Sequence, residues 1–327
     1  MATAGRVRIG LVAWCVLLAT LVPSACAAGP DTALAARLSS ADAAMEYWDI
    51  TTWLDSGERV AARFLVTNQG PGDRTAAAVG HVITADGRTL PFKWGRRRDA
   101  WTLDADGRRL EIGKAVLDLS GPAIVLTVVS KKRGVDLRLE IERTTVSSTP
   151  VNEVAPPALA RGRIGSTDVT GSGAVTHTWM DRAESDVLHR RDEVFARSGD
   201  SALYLSIVTL TDGRQEETLV IQRKDRGSTH RDAVMADLSG PLVGRDPDYP
   251  VHSTWTVEVA RVHVSATLER EWLRMNPLDI LPQPFRFLLS LGGRPQRVWA
   301  DARVTLARSP TELRGVVVST FARPAER

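Results

Sequence analysis

The chain of 327 residues has two cysteines, Cys15 and Cys26, both within its first thirty residues. The rest of the sequence therefore holds no disulfide, no thiol nucleophile and no cysteine-ligated metal. Its six histidines show no His-x-His, His-x-x-x-His or His-Glu-x-x-His spacing, so no metal centre is expected. Gly-x-Gly-x-x-Gly, the P-loop Gly-Lys-Ser/Thr and Gly-x-Ser-x-Gly are absent, and no cofactor is expected. Net charge is also scarce. The formal value is +3; without Arg6 and Arg8, which lie in a segment expected to be removed, 40 basic residues face 39 acidic ones and +1 remains. Such a balance gives no reason to expect nucleic acid as a partner. Long stretches of helical periodicity are missing too.

Apolar residues make up 43% of the chain, enough for sizeable cores. The first of them form a leader. Arg6 and Arg8 precede an apolar run from Ile9 to Val22, shorter than the roughly 20 residues of a membrane span. Ala25-Cys26-Ala27 then fits a small-x-small cleavage site, so residues 1–27 read as a signal peptide. Cys26 also fits a lipoprotein signal, although Pro23 sits where an aliphatic residue is usual. Either way the chain is expected to be exported, to the periplasm, the cell envelope or the medium.

Beyond Met45 the pattern is that of strands. "VDLRLEIER" places Val135, Leu137, Leu139 and Ile141 on one face and charges on the other. "RVHVSATLE", "VWADARVTL" and "LRGVVVSTF" behave similarly, and period-2 alternation implies one buried face. Asp-Gly pairs at Asp86, Asp106 and Asp212 mark hairpins. The fold class expected is all-β and antiparallel, a barrel or sandwich. "STPVNEVAPPALARG" contains Pro156-Pro157, which suits no central strand. A linker is therefore expected at 151–162, between a first domain at 40–150 and a second at 163–327.

"DLSGP" occurs at Asp118 and again at Asp237. "TADGR", ending at Arg88, finds a partner in "LTDGR", ending at Arg214, and "YWD" at Tyr47 finds an echo in "TWMD" at Thr178. The order and near-constant spacing of these matches imply two related barrels in tandem. The apolar segment from Asn276 to Gly293, with three prolines, reads as a covering loop, or as a lid over a cavity. "WGRRRDAW", Trp94 to Trp101, reads as a solvated hairpin, or as a contact for an anionic headgroup or polyanion.

Glu46-Tyr47-Trp48-Asp49, Gly80-His81, the "DLSGP" stretch and His177-Thr178-Trp179 resemble a tandem lipocalin-like family. It comprises AttH-type bacterial proteins, carotenoid 1,2-hydratases and fungal survival-factor proteins. The resemblance runs from about Ala44 onward. It implies two tandem lipocalin-like antiparallel β-barrels with an apolar pocket in or between them. The hydratase members carry Gly-Tyr-x-Asp-x-x-Trp at the start of the second half. Here Ala174 stands at the tyrosine position and Thr176 at the aspartate position. Hydration of an isolated C=C needs a positioned acid, which Thr176 cannot supply.

The candidate ligand-binding residues are Trp48, Asp49, His81, His177 and Trp179. His177 and Asp181 are the acid/base pair if the protein is an enzyme, and both are expected at the second barrel. Three readings stand side by side. One is an exported carrier of a hydrophobic small molecule or lipid, with peripheral membrane contact as an option. Another is an isomerase, cyclase or hydratase acting on an apolar polyene or terpenoid. The third is an envelope protein with filled barrels.

Overall fold

A computed structural model describes residues 33–69, 74–149, 151–223, 227–232, 235–237, 242–243, 246, 248–259, 262–277, 295–306 and 312–322. The leader, most of the Asn276 to Gly293 segment and the second "DLSGP" beyond Asp237 lie outside the described residues.

The first sheet holds β1 (Met45–Leu54), β2 (Arg59–Thr67), β3 (Thr75–Ile83), β4 (Thr89–Arg96), β5 (Thr102–Leu103) and β6 (Arg109–Ile112). It continues with β7 (Ala115–Asp118), β8 (Ala123–Ser130), β9 (Val135–Glu142), β10 (Ser147–Ser148), β11 (Asn152–Ile164) and β12 (Thr167–Met180). The second half begins with a short helix, α1 (Glu184–Val187). It continues with β13 (Leu188–Ser198), β14 (Ser201–Leu210), β15 (Gln215–Arg223), β16 (Gly227–Asp232) and β17 (Met235–Asp237). Among the described residues β18 (Leu242–Val243) and β19 (Val251–His252) pair only with each other. β20 (Thr254–Val259), β21 (Val262–Met275), β22 (Gln296–Leu306) and β23 (Glu312–Phe321) complete the second sheet.

The two sheets have the same topology. Each opens with a four-strand meander, β1–β4 or β13–β16. In each, the first strand pairs antiparallel with the half's last strand, β12 or β23. The order then runs backward through β11, β9, β8 and β7 in one sheet, and through β22, β21, β20 and β17 in the other. The molecule is thus two tandem lipocalin-like barrels built from curled antiparallel sheets. Asp118 ends β7 and Asp237 ends β17, which are equivalent strands, so "DLSGP" is a genuine mark of the repeat. The other two echoes are not. One "DGR" turn joins the third and fourth strands of its half, the other the second and third. "TWMD" ends β12 of the first barrel and does not open the second.

The expected linker at 151–162 is also corrected. It is most of β11, paired with β12 along its length and with β9 through Ala160–Ile164. Pro156-Pro157 is tolerated because the register with β12 slips between Ala155 and Ala158, so neither missing N–H interrupts the ladder. β9 pairing begins beyond the prolines. Residues 163–180 belong to the first barrel, whose last strand is β12. The chain crosses between barrels at Asp181 to Val187.

Three apolar clusters follow from this arrangement. One fills the first barrel, with Phe64, Phe92, Leu126 and Leu139; another fills the second, with Leu205, Trp255, Val264 and Val304. The third is shared by both barrels: Trp53, Ala61, Val79 and Ala174 meet Phe195, Tyr204, Leu273 and Trp299. Burial patterns explain why some strands alternate and others do not. β9 has one face in a barrel and one in water, and reads buried/exposed in turn. In β1 every residue after Met45 is buried, because one face enters the barrel and the other enters the seam between barrels.

Candidate functional site

His177 lies on β12 of the first barrel, not the second, and is fully buried. Its ring stacks on Trp48 at 4.6 Å with an interplanar angle of 5°, and Trp179 tilts against it at 5.1 Å. Nε2 is 2.7 Å from Glu46 Oε1 and Nδ1 is 3.2 Å from Glu153 Oε2. Each ring nitrogen thus faces a carboxylate oxygen. The two carboxylates also grip a strap of chain laid over the barrel end. Leu34 N–H donates to Glu153 at 2.7 Å, and the amides of Arg37 and Leu38 donate to Glu46 at 2.7 Å each. Arg37 reaches Glu153 at 2.7 Å and covers Trp179. Trp48 Nε1–H donates to Leu34 O at 2.8 Å. Burial pushes the Glu153 carboxyl up, but the bonds from His177 and Leu34, with the charges of His177 and Arg37, outweigh it and hold it below the usual range.

The structure therefore joins Trp48, His177 and Trp179, and commits their polar atoms to closing the barrel. Asp181 is exposed, past the end of β12. It borders a shallow cleft with Trp179 and Arg74 and has no contact that couples it to His177. The partners of His177 are Glu46 and Glu153. Glu153 had one legible signal: it is the single charge in "VNEVAPPALA".

Asp49 and His81 point the other way, into the seam. Asp49 receives Arg63 through Nε and Nη2 at 2.7 and 2.8 Å, and Arg297 of β22 at 2.8 Å. Burial works against its charged form, yet Arg297 and Arg63 prevail and lower the carboxyl to about 2. Asp49 is thus an inter-barrel ion, with both oxygens taken. A second bridge, Arg59 to Asp301 at 2.9 Å, lies further along the same strands. A third link is Arg191, which donates to Tyr47 Oη at 3.1 Å, while Tyr47 donates to Glu184 at 2.6 Å. Alternate residues of β22 therefore read ion, aromatic, ion: Arg297, Trp299, Asp301.

Trp299 sits between these two bridges. Across the first sheet the corresponding register row is His81, Ala61, Thr51 and Ala174, small side chains flanked by an imidazole. On β21 the register slips between Glu271 and Leu273, which brings the adjacent Trp272 and Leu273 both against the shared cluster. The rings of Trp272 and Trp299 are 6.2 Å apart. Trp272 Nε1 and Trp299 Nε1 have no hydrogen-bond partner among the described residues, nor does His81 Nδ1 on the seam-facing side of β3; Thr52 Oγ1 and, inside the second barrel, Trp255 Nε1 are also unpartnered. Burial holds the His81 pKa below the ordinary imidazole value. Ala174 and Thr176, at the positions of the hydratase tyrosine and aspartate, are in register with Thr51 and Asp49 on this same face. Deeper in the seam, Glu193 is buried and accepts from Tyr204 Oη at 3.0 Å. Burial raises its pKa, with Arg191 and Arg297 opposing.

No family model matches the chain, and no curated protein matches it in sequence. Solved structures do. An AttH protein from Nitrosomonas europaea superimposes over 93% of this chain and 99% of its own, at 13% identity and a TM-score of 0.65. Kievitone hydratase from Nectria haematococca covers 86% and 90%, at 6% identity and a TM-score of 0.56. CghA, solved with Sch210972, covers 88% and 90%, at 12% identity and a TM-score of 0.52. The fold that the motifs around Trp48 and His177 point to is thus the one observed, and this chain has the tandem lipocalin-like fold that these AttH-type and hydratase-type proteins share.

Proposed function

We propose that the protein is an exported binder or carrier of a hydrophobic small molecule, which it holds in the seam between its barrels. The observation that carries this reading is the pair of unpartnered indole N–H groups, on Trp272 and Trp299, against the apolar cluster of both barrels, with His81 Nδ1 unpartnered on the seam-facing side of β3. A buried indole N–H left unpaired costs stability, and such an expense is commonly recovered when a ligand supplies the acceptor. Apolar walls with a few convergent polar groups are the usual composition of a small-molecule site. The ligand chemistry that fits is an uncharged, largely apolar body with a carbonyl or hydroxyl oxygen. A carboxylate fits less well, because neither indole carries a charge and burial disfavours the His81 imidazolium.

Titration with the apolar ketone β-ionone, read by tryptophan fluorescence, tests the reading. Trp299→Phe keeps an aromatic side chain, smaller than the indole, and removes the donor, so the dissociation constant is expected to rise at least about fivefold, the worth of one net hydrogen bond. Equal binding by the wild type, Trp272→Phe and Trp299→Phe would count against the seam.

Glu193 supports a second reading, an enzyme acting on the same class of molecule. A buried carboxyl with a raised pKa, bonded to a tyrosine in the same seam, has the character of a general acid. On this reading Glu193→Gln abolishes turnover of a polyene and leaves β-ionone binding intact; unchanged turnover in that variant removes Glu193 from the chemistry.

A further inference from the structure

Six basic side chains gather on one flank of the first barrel, away from the seam. Arg96 ends β4 and Arg97 follows it, Lys114 lies in the turn between β6 and β7, and Lys131, Lys132 and Arg133 form a 3-10 turn between β8 and β9. Local contacts tie these three elements together. Arg133 Nη1 donates to Pro91 O of β4 at 3.4 Å. Gly113 packs directly against Trp94 and Arg96, where a Cβ would come within 2.5 Å of the Trp94 ring. Val129 N–H donates to Lys114 O at 3.0 Å.

Elsewhere on this sheet Arg88 pairs with Asp86, Arg109 with Asp118 and Arg138 with Glu140, while Arg161 and Arg163 of β11 stand exposed and singly. Among the described residues none of the six has a carboxylate partner. The acids next to them in sequence are Glu111, Asp99 and Asp136; Glu111 lies 3.9 Å from Arg109. The patch is therefore strongly positive on a chain that is nearly neutral overall. Beside it, Val116, Val125, Thr127 and Val129 on the outward face of β7 and β8 form a half-buried, uncharged strip; Asp118 ends that face of β7, paired with Arg109.

We infer that this flank docks on an anionic lipid surface. Basic residues held close to such a surface each strengthen partitioning several-fold, and the attraction decays within a Debye length. A compact cationic patch with an apolar border matches a headgroup layer over acyl chains. A phosphodiester backbone would call for a longer basic track with exposed aromatic rings for the bases. Docked this way, the barrel rests on the membrane while the seam faces elsewhere, which suits a protein that exchanges an apolar cargo. The inference about the flank stands on its own charges and survives if the seam binds nothing.

Co-sedimentation with vesicles tests it, using protein purified without a lipid on Cys26. The protein is expected to bind phosphatidylcholine vesicles containing phosphatidylglycerol, to ignore pure phosphatidylcholine, and to be released by high salt. The triple variant Lys114→Glu, Lys131→Glu, Lys132→Glu changes only exposed residues. It should keep the wild-type melting curve and partition about a hundredfold more weakly. Two results would overturn the inference: undiminished binding by the triple variant, or equal binding to neutral vesicles. So would tighter binding to a single-stranded oligonucleotide than to anionic vesicles. Competition by inorganic phosphate at low concentration would reassign the patch to a free anion.

Discussion

Replacing Asp49 with asparagine is expected to lower the unfolding free energy by about 3–5 kcal/mol at neutral pH. The substitution preserves shape and removes the one charge that serves both Arg63 and Arg297, each almost wholly buried. Arg297 then remains out of water with no carboxylate bonded to it, and Arg63 keeps only Glu184, at 3.9 Å. Arg63 also loses a bidentate pair, and Arg297 is the tie that crosses from β22 to β1. The loss depends on pH. Asp49 has a folded pKa of about 2 against an ordinary value of 3.8. A depressed carboxylate stabilises the fold above its unfolded pKa, and that contribution fades as pH falls through the folded value. The difference between wild type and Asp49→Asn should therefore narrow from about pH 4 down to about pH 2. Denaturant unfolding at a series of pH values measures it. A variant as stable as the wild type at pH 7 would show that the barrels do not depend on this bridge.

His177→Phe is the second change with a large expected effect. Phenylalanine can still stack on Trp48, so the packing loss is small. Glu46 and Glu153 lose their shared donor and face an apolar ring at the barrel end. A cost of about 3 kcal/mol or more follows from burying carboxylates beside a partner that no longer donates. The strap should report it first. In the wild type the amides of Leu34, Arg37 and Leu38 are bonded to those carboxylates, and their hydrogen exchange should be slow. In His177→Phe they should exchange rapidly while the amides of β13 and β23 stay protected. Unchanged protection of the three strap amides would contradict the clamp.

Much of the fold is legible in the sequence, for a physical reason. Strands such as β6, β8 and β9 have one face in a barrel and one in water, and period 2 is the direct record of that. The seam is not legible in this way. β1 and β23 are buried on both faces, so alternation disappears where the two barrels meet. The prolines of β11 look like a linker because their lack of an N–H is a local property, whereas the bulge that accommodates them is set by pairing with β12. The residues that matter at the seam are distant in sequence: Asp49 and Arg297 are joined only by the docking of two barrels. Trp48, His177 and Trp179 stand out as aromatic and polar residues near strand ends, and they do come together. Their purpose is hidden, because Glu153 and the strap reach them from other parts of the chain, and nothing local marks Glu46, two residues before Trp48, as a partner of His177. Trp272 and Trp299 carried no local motif at all; only the structure shows that their N–H groups lack acceptors.

The seam is tested most directly by the indole N–H resonances of the eight tryptophans that follow the leader, Trp14 being the ninth. These can be assigned through single Trp→Phe variants and followed in a heteronuclear spectrum as β-ionone is added. The resonances of Trp272 and Trp299 should move downfield together and saturably, as each gains an acceptor. Trp48, already bonded to Leu34 O, should stay in place. Movement of Trp48 with Trp272 and Trp299 unchanged would put the ligand inside the first barrel and contradict a site between the barrels.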